Sequence, residues 1–278
     1  MSRDEQAAPP GVPPGVDTSR PSIARVYDAG LGGKDNFEAD REVLRAILEV
    51  TPEGMVVARD NRDWLIRVTR FLAEQAGVRQ FLDLGSGLPT TENTHEVAQR
   101  IDPESTVVYV DDDPVVEAHG KVLLEENEQT HFVGGDLTRP EELLADPALH
   151  RRLDFSEPVA LYLIGVLHHF PDLDRLREIV RTYVDALAPG SFLAISHFHN
   201  PGGEHEEIAK RVERAMLDSG MGSGYFRTRE EIASLFLDLE LLEPGLCRAP
   251  DWWPDGPRVK PLVVPQRMFL AGLARKPR

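Results

Sequence analysis

Three short apolar runs carry an acid in or at the end of each: Asp83 within Phe81-Leu82-Asp83-Leu84, Asp111 after Val107-Val108-Tyr109-Val110, and Asp136 after Val133-Gly134-Gly135. The first run leads directly into Gly85-Ser86-Gly87-Leu88-Pro89. Glycines at the end of a strand let the backbone turn sharply and come close to a ligand. An acid closing the next strand, about two dozen residues on, is placed to hold a ribose. Asp83, Gly85, Ser86, Gly87 and Asp111 therefore read as one nucleoside site. A tight structural turn is the plainer alternative for the two glycines alone. A nicotinamide dinucleotide site would want a third glycine where Thr90 stands, and it leaves the acid at Asp136 unexplained. An NAD-dependent oxidoreductase is thus the weaker of two nucleoside readings.

A fourth run, Val159 to Ile164, passes through Gly165 into His168-His169-Phe170-Pro171-Asp172. Ligands in open parallel sheets bind beyond the carboxyl ends of the strands, so this loop is where chemistry is expected. Imidazole titrates near neutral pH, which makes His168 first, and His169 second, candidates to accept a proton. Orienting an acceptor, or capping the next helix, are the alternatives. His197 and His199 lie at the end of the following strand, but alternate histidines on extended chain with no cysteine nearby make a poor zinc set. Asp111-Asp112-Asp113 are consecutive, so their carboxylates diverge and suit no divalent cation. No metal is expected.

These groups need a scaffold of strands alternating with helices. Val43, Leu44, Ile47 and Leu48 form one helical apolar stripe, and Trp64, Leu65, Val68, Phe71 and Leu72 form another, stopped by Gly77; both read as core. Asp35 or Asn36 is the expected N-cap of the first of these helices. Asn61-Arg62 opens the second, where the guanidinium can meet a carboxylate or simply face water. A helix is expected from Leu173 to Leu187, a strand from Phe192 to Ser196, a helix from Glu206 to Asp218 and a flexible loop over Ser219 to Gly224. Thr138 with Glu141, and Thr228 with Glu231, fit capping boxes, the second opening a helix through Phe236. The chain then reads strand (Leu239 to Leu246), long loop with Trp252-Trp253, strand (Gln266 to Ala274). The tryptophans suit either an acceptor-pocket wall or plain packing.

The recurrent strand–helix alternation predicts an α/β fold with a Rossmann-like, doubly wound, mostly parallel sheet. A chain of 278 residues with 41% hydrophobic content supports one main domain, expected over residues 21–278 with 21–77 as an N-terminal helical lid region. Residues 1–20, with the run Ala7-Ala8-Pro9-Pro10-Gly11-Val12-Pro13-Pro14-Gly15, have little to bury and are expected to be a disordered tail. A net charge of -16 disfavours nucleic acid and anionic membranes and favours a small-molecule partner. With one cysteine, no membrane-span run and no signal-like start, the expected location is the cytoplasm.

Asp83-Leu84-Gly85-Ser86-Gly87 resembles the first motif of the class I S-adenosylmethionine (SAM) methyltransferases. Arg25-Val26-Tyr27-Asp28 followed by Leu31-Gly32-Gly33-Lys34-Asp35-Asn36-Phe37 is similar to the opening of an actinobacterial family of SAM-dependent methyltransferases formerly catalogued as a domain of unknown function. The resemblance runs from about Pro21 to the C-terminus. It implies SAM as cofactor and a methyl acceptor that it leaves unidentified, with a non-catalytic SAM-binding protein as the alternative. It also implies that the last strand runs antiparallel. Asp136 is then the acid that meets the adenine amino group, with Leu137 flanking the ring and Gly135 beside it. One carboxylate of the Asp111-Asp112-Asp113 run faces the ribose and the others water or a helix N-terminus, with Asp111 and Asp112 both counted at the cofactor. Ile164 and Gly165 belong to the fourth motif, at the cofactor. Tyr27, Lys34, Asn36 and Phe37 become candidates for a lid over the cofactor, or else anchors of the tail, and Arg62 a partner for the amino-acid carboxylate. Oligomeric state is left open.

Overall fold

Strands that are apolar on both faces must be covered by helices on both sides, and amphipathic helices supply the cover. A computed structural model describes residues 16–90, 92–123 and 127–278. Three helices, α1 (Ile23–Leu31), α2 (Glu38–Val50) and α3 (Met55–Glu74), precede β1 (Gln80–Leu84). Then follow α4 (Thr94–Ile101), β2 (Thr106–Asp111), α5 (Pro114–Leu123), β3 (Thr130–Gly134), the short α6 (Pro140–Leu144) and α7 (Pro147–His150), and β4 (Val159–Ile164). The second half holds α8 (Leu173–Ala186), β5 (Phe192–Phe198), α9 (Glu206–Leu217), α10 (Arg229–Ser234), β6 (Glu240–Leu241), β7 (Cys247–Arg248), α11 (Val264–Arg267) and β8 (Phe269–Arg275).

The sheet order is β3-β2-β1-β4-β5-β8-β6, with β7 paired to β8. Strands β1 to β5 are parallel, and β8 runs antiparallel beside β5, as expected. Strand order reverses between β1 and β4, and this switch point opens a crevice at the carboxyl ends. On one face Leu82, Leu161 and Leu163 pack with Leu176, Ile179 and Tyr183 of α8. On the other, Trp64, Leu65, Val68 and Leu72 of α3 cover Phe81 and Tyr162. No helix among the described residues is long and apolar enough to cross a membrane.

Several local expectations are corrected. Phe37, not Asp35 or Asn36, is the N-cap of α2, because Asp40 accepts the Phe37 N–H at 2.7 Å. Asp35 and Asn36 instead donate to Asp28 Oδ2, at 3.0 and 2.8 Å. Thr138 makes no capping box with Glu141; its N–H and hydroxyl both go to Asp136 Oδ1, and Arg139 caps α6. The box of Thr228 with Glu231 does form, though α10 ends at Ser234, two residues before the buried Phe236. The strand expected over Leu239 to Leu246 shrinks to Glu240–Leu241 at the sheet edge, and Cys247–Arg248 adds a second two-residue strand. Trp252 lies against Trp64 and Phe71 in the core, so packing is its role in this structure.

Of the expected tail, residues 1–15 lie outside the described residues. Val16 packs partly on the α3 core, and the Arg25 guanidinium donates to Asp17 O at 3.3 Å.

Candidate functional site

The glycine turn is built from its glycines outward. Gly85 and Gly87 both have positive φ, 67° and 66°, which side chains rarely adopt. A methyl group on Gly85 would stand 2.5 Å from Val166 Cγ2. At Gly87 nothing lies within 4 Å of that position, so the turn presents bare backbone to open space. The turn is tied to β2: Gly85 and Ser86 donate to Val110 O at 2.8 and 3.1 Å, and Gly87 donates to Asp111 Oδ2 at 2.8 Å.

Asp111 Oδ1 also accepts the Asp113 N–H at 3.0 Å. Burial nevertheless dominates and pushes the Asp111 carboxyl up to about 6. Asp83 is likewise pushed by burial to about 6, against the pull of a 2.9 Å hydrogen bond from Thr94 Oγ1. Asp112 is raised by burial and by the nearby Asp136.

These residues face a cavity of about 630 Å³. It is lined at this end by Asp83, Gly85, Ser86, Gly87, Asp111, Asp112, Gly135, Asp136, Leu137, Ile164, Gly165 and Arg62, and on the α1 side by Tyr27. The chain thus brings together every expected cofactor residue except Lys34. Lys34 is exposed on the loop after α1, and Asn36 and Phe37 are half-buried; all three lie outside the cavity lining. Arg62 donates to Glu92 O at 2.7 Å. Tyr27 donates to Ala58 O at 3.1 Å and accepts from Asn61 Nδ2 at 3.0 Å, and Asn61 Oδ1 accepts from Ser196 Oγ at 2.7 Å. That chain of bonds spans α1, α3 and β5.

The cavity continues to His168 and His169. His168 is 3% exposed, its Nδ1 has no partner, and its ring lies 3.8 Å from that of Phe198. Burial holds His168 well below the ordinary imidazole range, with the neighbouring His169, His197 and Arg227 adding to the effect. Burial lowers His169 to about 4, and its Nδ1 pairs with Ser223 Oγ at 2.9 Å. His197 is lowered to about 3, again mainly by burial, and its Nε2 accepts from Arg227 Nη1 at 3.2 Å. These imidazoles are neutral at pH 7, and the burial that keeps them so also disfavours the imidazolium, so any proton they take must be passed on.

Sequence reasoning missed three positioning residues. Asp40, fully buried, pairs with Arg25 Nε at 2.9 Å and accepts the Ser22 N–H at 2.9 Å, which seats α1. Ser22 in turn donates its hydroxyl to Asp113, joining α1 to the loop after β2. Arg227 donates to Phe170 O and Pro171 O at 2.9 and 3.0 Å and so holds the histidine loop. Only Asp40 carries a signal, an acid at the third position of a helix.

The residues fit an adenosyl cofactor on the structure's own terms. Ser86 lines the cavity and its buried Oγ lacks a partner, and the Gly87 turn leaves room for a ligand against its backbone. A seven-position sheet with one antiparallel strand, and acids closing β1 and β2, defines a class I methyltransferase architecture.

The comparisons with known proteins agree. The model of the S-adenosyl methyltransferase family matches residues 11–277, and the chain belongs to that family. It is a SAM-dependent methyltransferase. A Thermobifida fusca protein, assigned as a methyltransferase, has a crystal structure that is 44% identical over 97% of this chain and 100% of its own, with a TM-score of 0.91. A Streptomyces avermitilis protein of the DUF574 family is 38% identical over 94% of this chain and 99% of its own, with a TM-score of 0.87. No curated protein is significantly similar.

Proposed function

We propose that the enzyme methylates a small-molecule acceptor held beside His168, in the same cavity that takes the cofactor. The observation that carries this is continuity: one cavity runs from the acids of β1 to β3 to the buried, unpartnered His168. When bound, SAM supplies a methyl group already activated on a sulfonium. What remains for the chain is to align a nucleophile, exclude water and take up a proton where the nucleophile carries one.

Asp111 and Asp112 take the ribose hydroxyls in this reading, Asp136 and Leu137 the adenine, and the turn with Asp83 and Arg62 the amino-acid end. Tyr27 and α1, joined to α3 through Asn61, serve as a lid whose seat is the Arg25–Asp40 pair. His168 receives the proton, neutral at pH 7 and facing the cavity, and His169 orients the loop through Ser223. The net charge of -16 argues against nucleic acid or an anionic membrane as partner. A cytoplasmic setting accords with the single cysteine.

A coupled assay for S-adenosylhomocysteine release across a panel of small organic acceptors tests the reading. Turnover that falls in His168→Phe, with SAM affinity retained, supports it. Tight SAM binding with no turnover across the panel would instead favour a SAM sensor.

A further inference from the structure

The chain has five methionines, and four of them, Met55, Met216, Met221 and Met268, line the cavity. They stand on or beside α3, α9, the 219–226 loop and α11, in three separate stretches of sequence, and they converge on one chamber. Leu44 and Ile47 of α2, both partly buried, face the same space, while Val43 of that apolar stripe is buried as expected of core. Phe226 and Phe198 close the chamber as a parallel pair, with centroids 4.9 Å apart and planes 8° from parallel.

Charge is partitioned along the cavity. Its aspartates stand at or just after the ends of β1, β2 and β3, Arg62 stands in the first half of α3, and His168 and His169 follow β4. No lining residue from α2, α9, the 219–226 loop or the 264–269 segment is ionisable. A charged acceptor seated there would lose its water and gain no counter-ion, a costly exchange. Methionine is flexible and polarisable and favours aromatic edges and faces, so a Met-lined wall adapts to several ring shapes. The loop bearing Met221 is fastened at its far end, where Tyr225 N donates to His168 O at 2.7 Å. A second bond, His169 Nδ1 to Ser223 Oγ at 2.9 Å, ties the same loop to the histidine loop.

Resting on the methyl-transfer reading above, we propose that this chamber selects an uncharged, planar aromatic acceptor, and that it accepts a range of ring systems while rejecting carboxylates and ammonium ions.

The test uses the full-length protein saturated with S-adenosylhomocysteine, titrated at pH 7.5 with three probes of one shape: 2-naphthol, naphthalene-2-carboxylate and 2-naphthylmethylammonium. The neutral probe is expected to bind at least tenfold more tightly than either ion. Met221→Lys, at a half-exposed position that tolerates charge, is expected to weaken 2-naphthol about tenfold and to improve the carboxylate, with S-adenosylhomocysteine affinity unchanged. Equal or tighter binding of either ion, or no binding of 2-naphthol to a protein that holds S-adenosylhomocysteine normally, overturns the proposal. Failure to bind S-adenosylhomocysteine at all is a separate result and strikes the methyl-transfer reading itself.

Discussion

The Gly87 N–H donates to the Asp111 carboxylate at 2.8 Å, so the turn after β1 and the acid closing β2 form one hydrogen-bonded unit. Two strands adjacent in the sheet thereby present a bare backbone and a carboxylate to the same cavity. Asp111 is held near about 6 by burial, so near pH 6 it is partly protonated in the free protein. Ribose hydroxyls are donors and favour the ionised form. SAM binding at pH 6 should therefore release protons, visible as a dependence of the calorimetric enthalpy on the ionisation heat of the buffer. The dependence should vanish at pH 8 and shrink in Asp111→Asn. That variant should bind SAM about tenfold to a hundredfold more weakly, matching roughly 1–3 kcal/mol for a hydrogen bond to a charged group. Unaltered affinity would remove Asp111 from the site.

The two turn glycines should respond differently to alanine. Both have positive φ, which costs about 1–2 kcal/mol for a residue with a side chain. Gly85→Ala adds a collision with Val166 and Leu137, whereas the Gly87 methyl enters open space. Thermal melting should show the larger loss for Gly85→Ala. Gly87→Ala should keep its fold and lose SAM affinity, because its methyl occupies the room left for the ligand.

Acid should weaken the fold through the histidine loop. His169 and His197 are lowered to about 4 and about 3, below the ordinary 6.5. The folded chain binds these protons less readily than the unfolded one. Their contribution is therefore complete above about pH 6.5 and is lost as pH falls toward 4. Asp83 and Asp111, raised to about 6, act the other way: their contribution is largest below about pH 4 and is lost as pH rises through 6. His197→Gln should flatten the drop in melting temperature between pH 6.5 and 4.5. An unchanged slope would mean that His197 stays neutral in neither state, contrary to its burial.

Trp252 separates packing from pocket. Its ring is 1% exposed and meets Trp64 and Phe71 edge-on, at 6.2 and 6.0 Å. Trp252→Ala should cost about 3–5 kcal/mol in denaturant unfolding. Ligand affinity of the folded fraction should be unaltered. A loss of affinity without a loss of stability would return this residue to the site.

Much of this was readable from local sequence. Strands β1 to β5 are runs of apolar residues buried on both faces, and the glycine turn and its acids sit at their ends, where position along the chain already places them in space. The Trp252-Trp253 pair was ambiguous because an aromatic pair looks the same whether it walls a pocket or fills a core, and only the arrival of α3 decides. Thr138 was misread because its hydroxyl had a closer acceptor in Asp136. β6 is two residues long and sits on the sheet edge, where partial exposure blunts the apolar pattern. The chamber had no local signature at all: Leu44, Met216, Met221 and Met268 meet only after α2 packs on α9.

The central claim is that the turn and acids of β1 to β3 hold an adenosyl cofactor, and calorimetric titration of the purified protein with SAM, S-adenosylhomocysteine and NAD tests it most directly. The expected result is one site per chain with micromolar affinity for both adenosyl ligands and no heat with NAD. Silence with both, beside a clear NAD isotherm, would contradict the account.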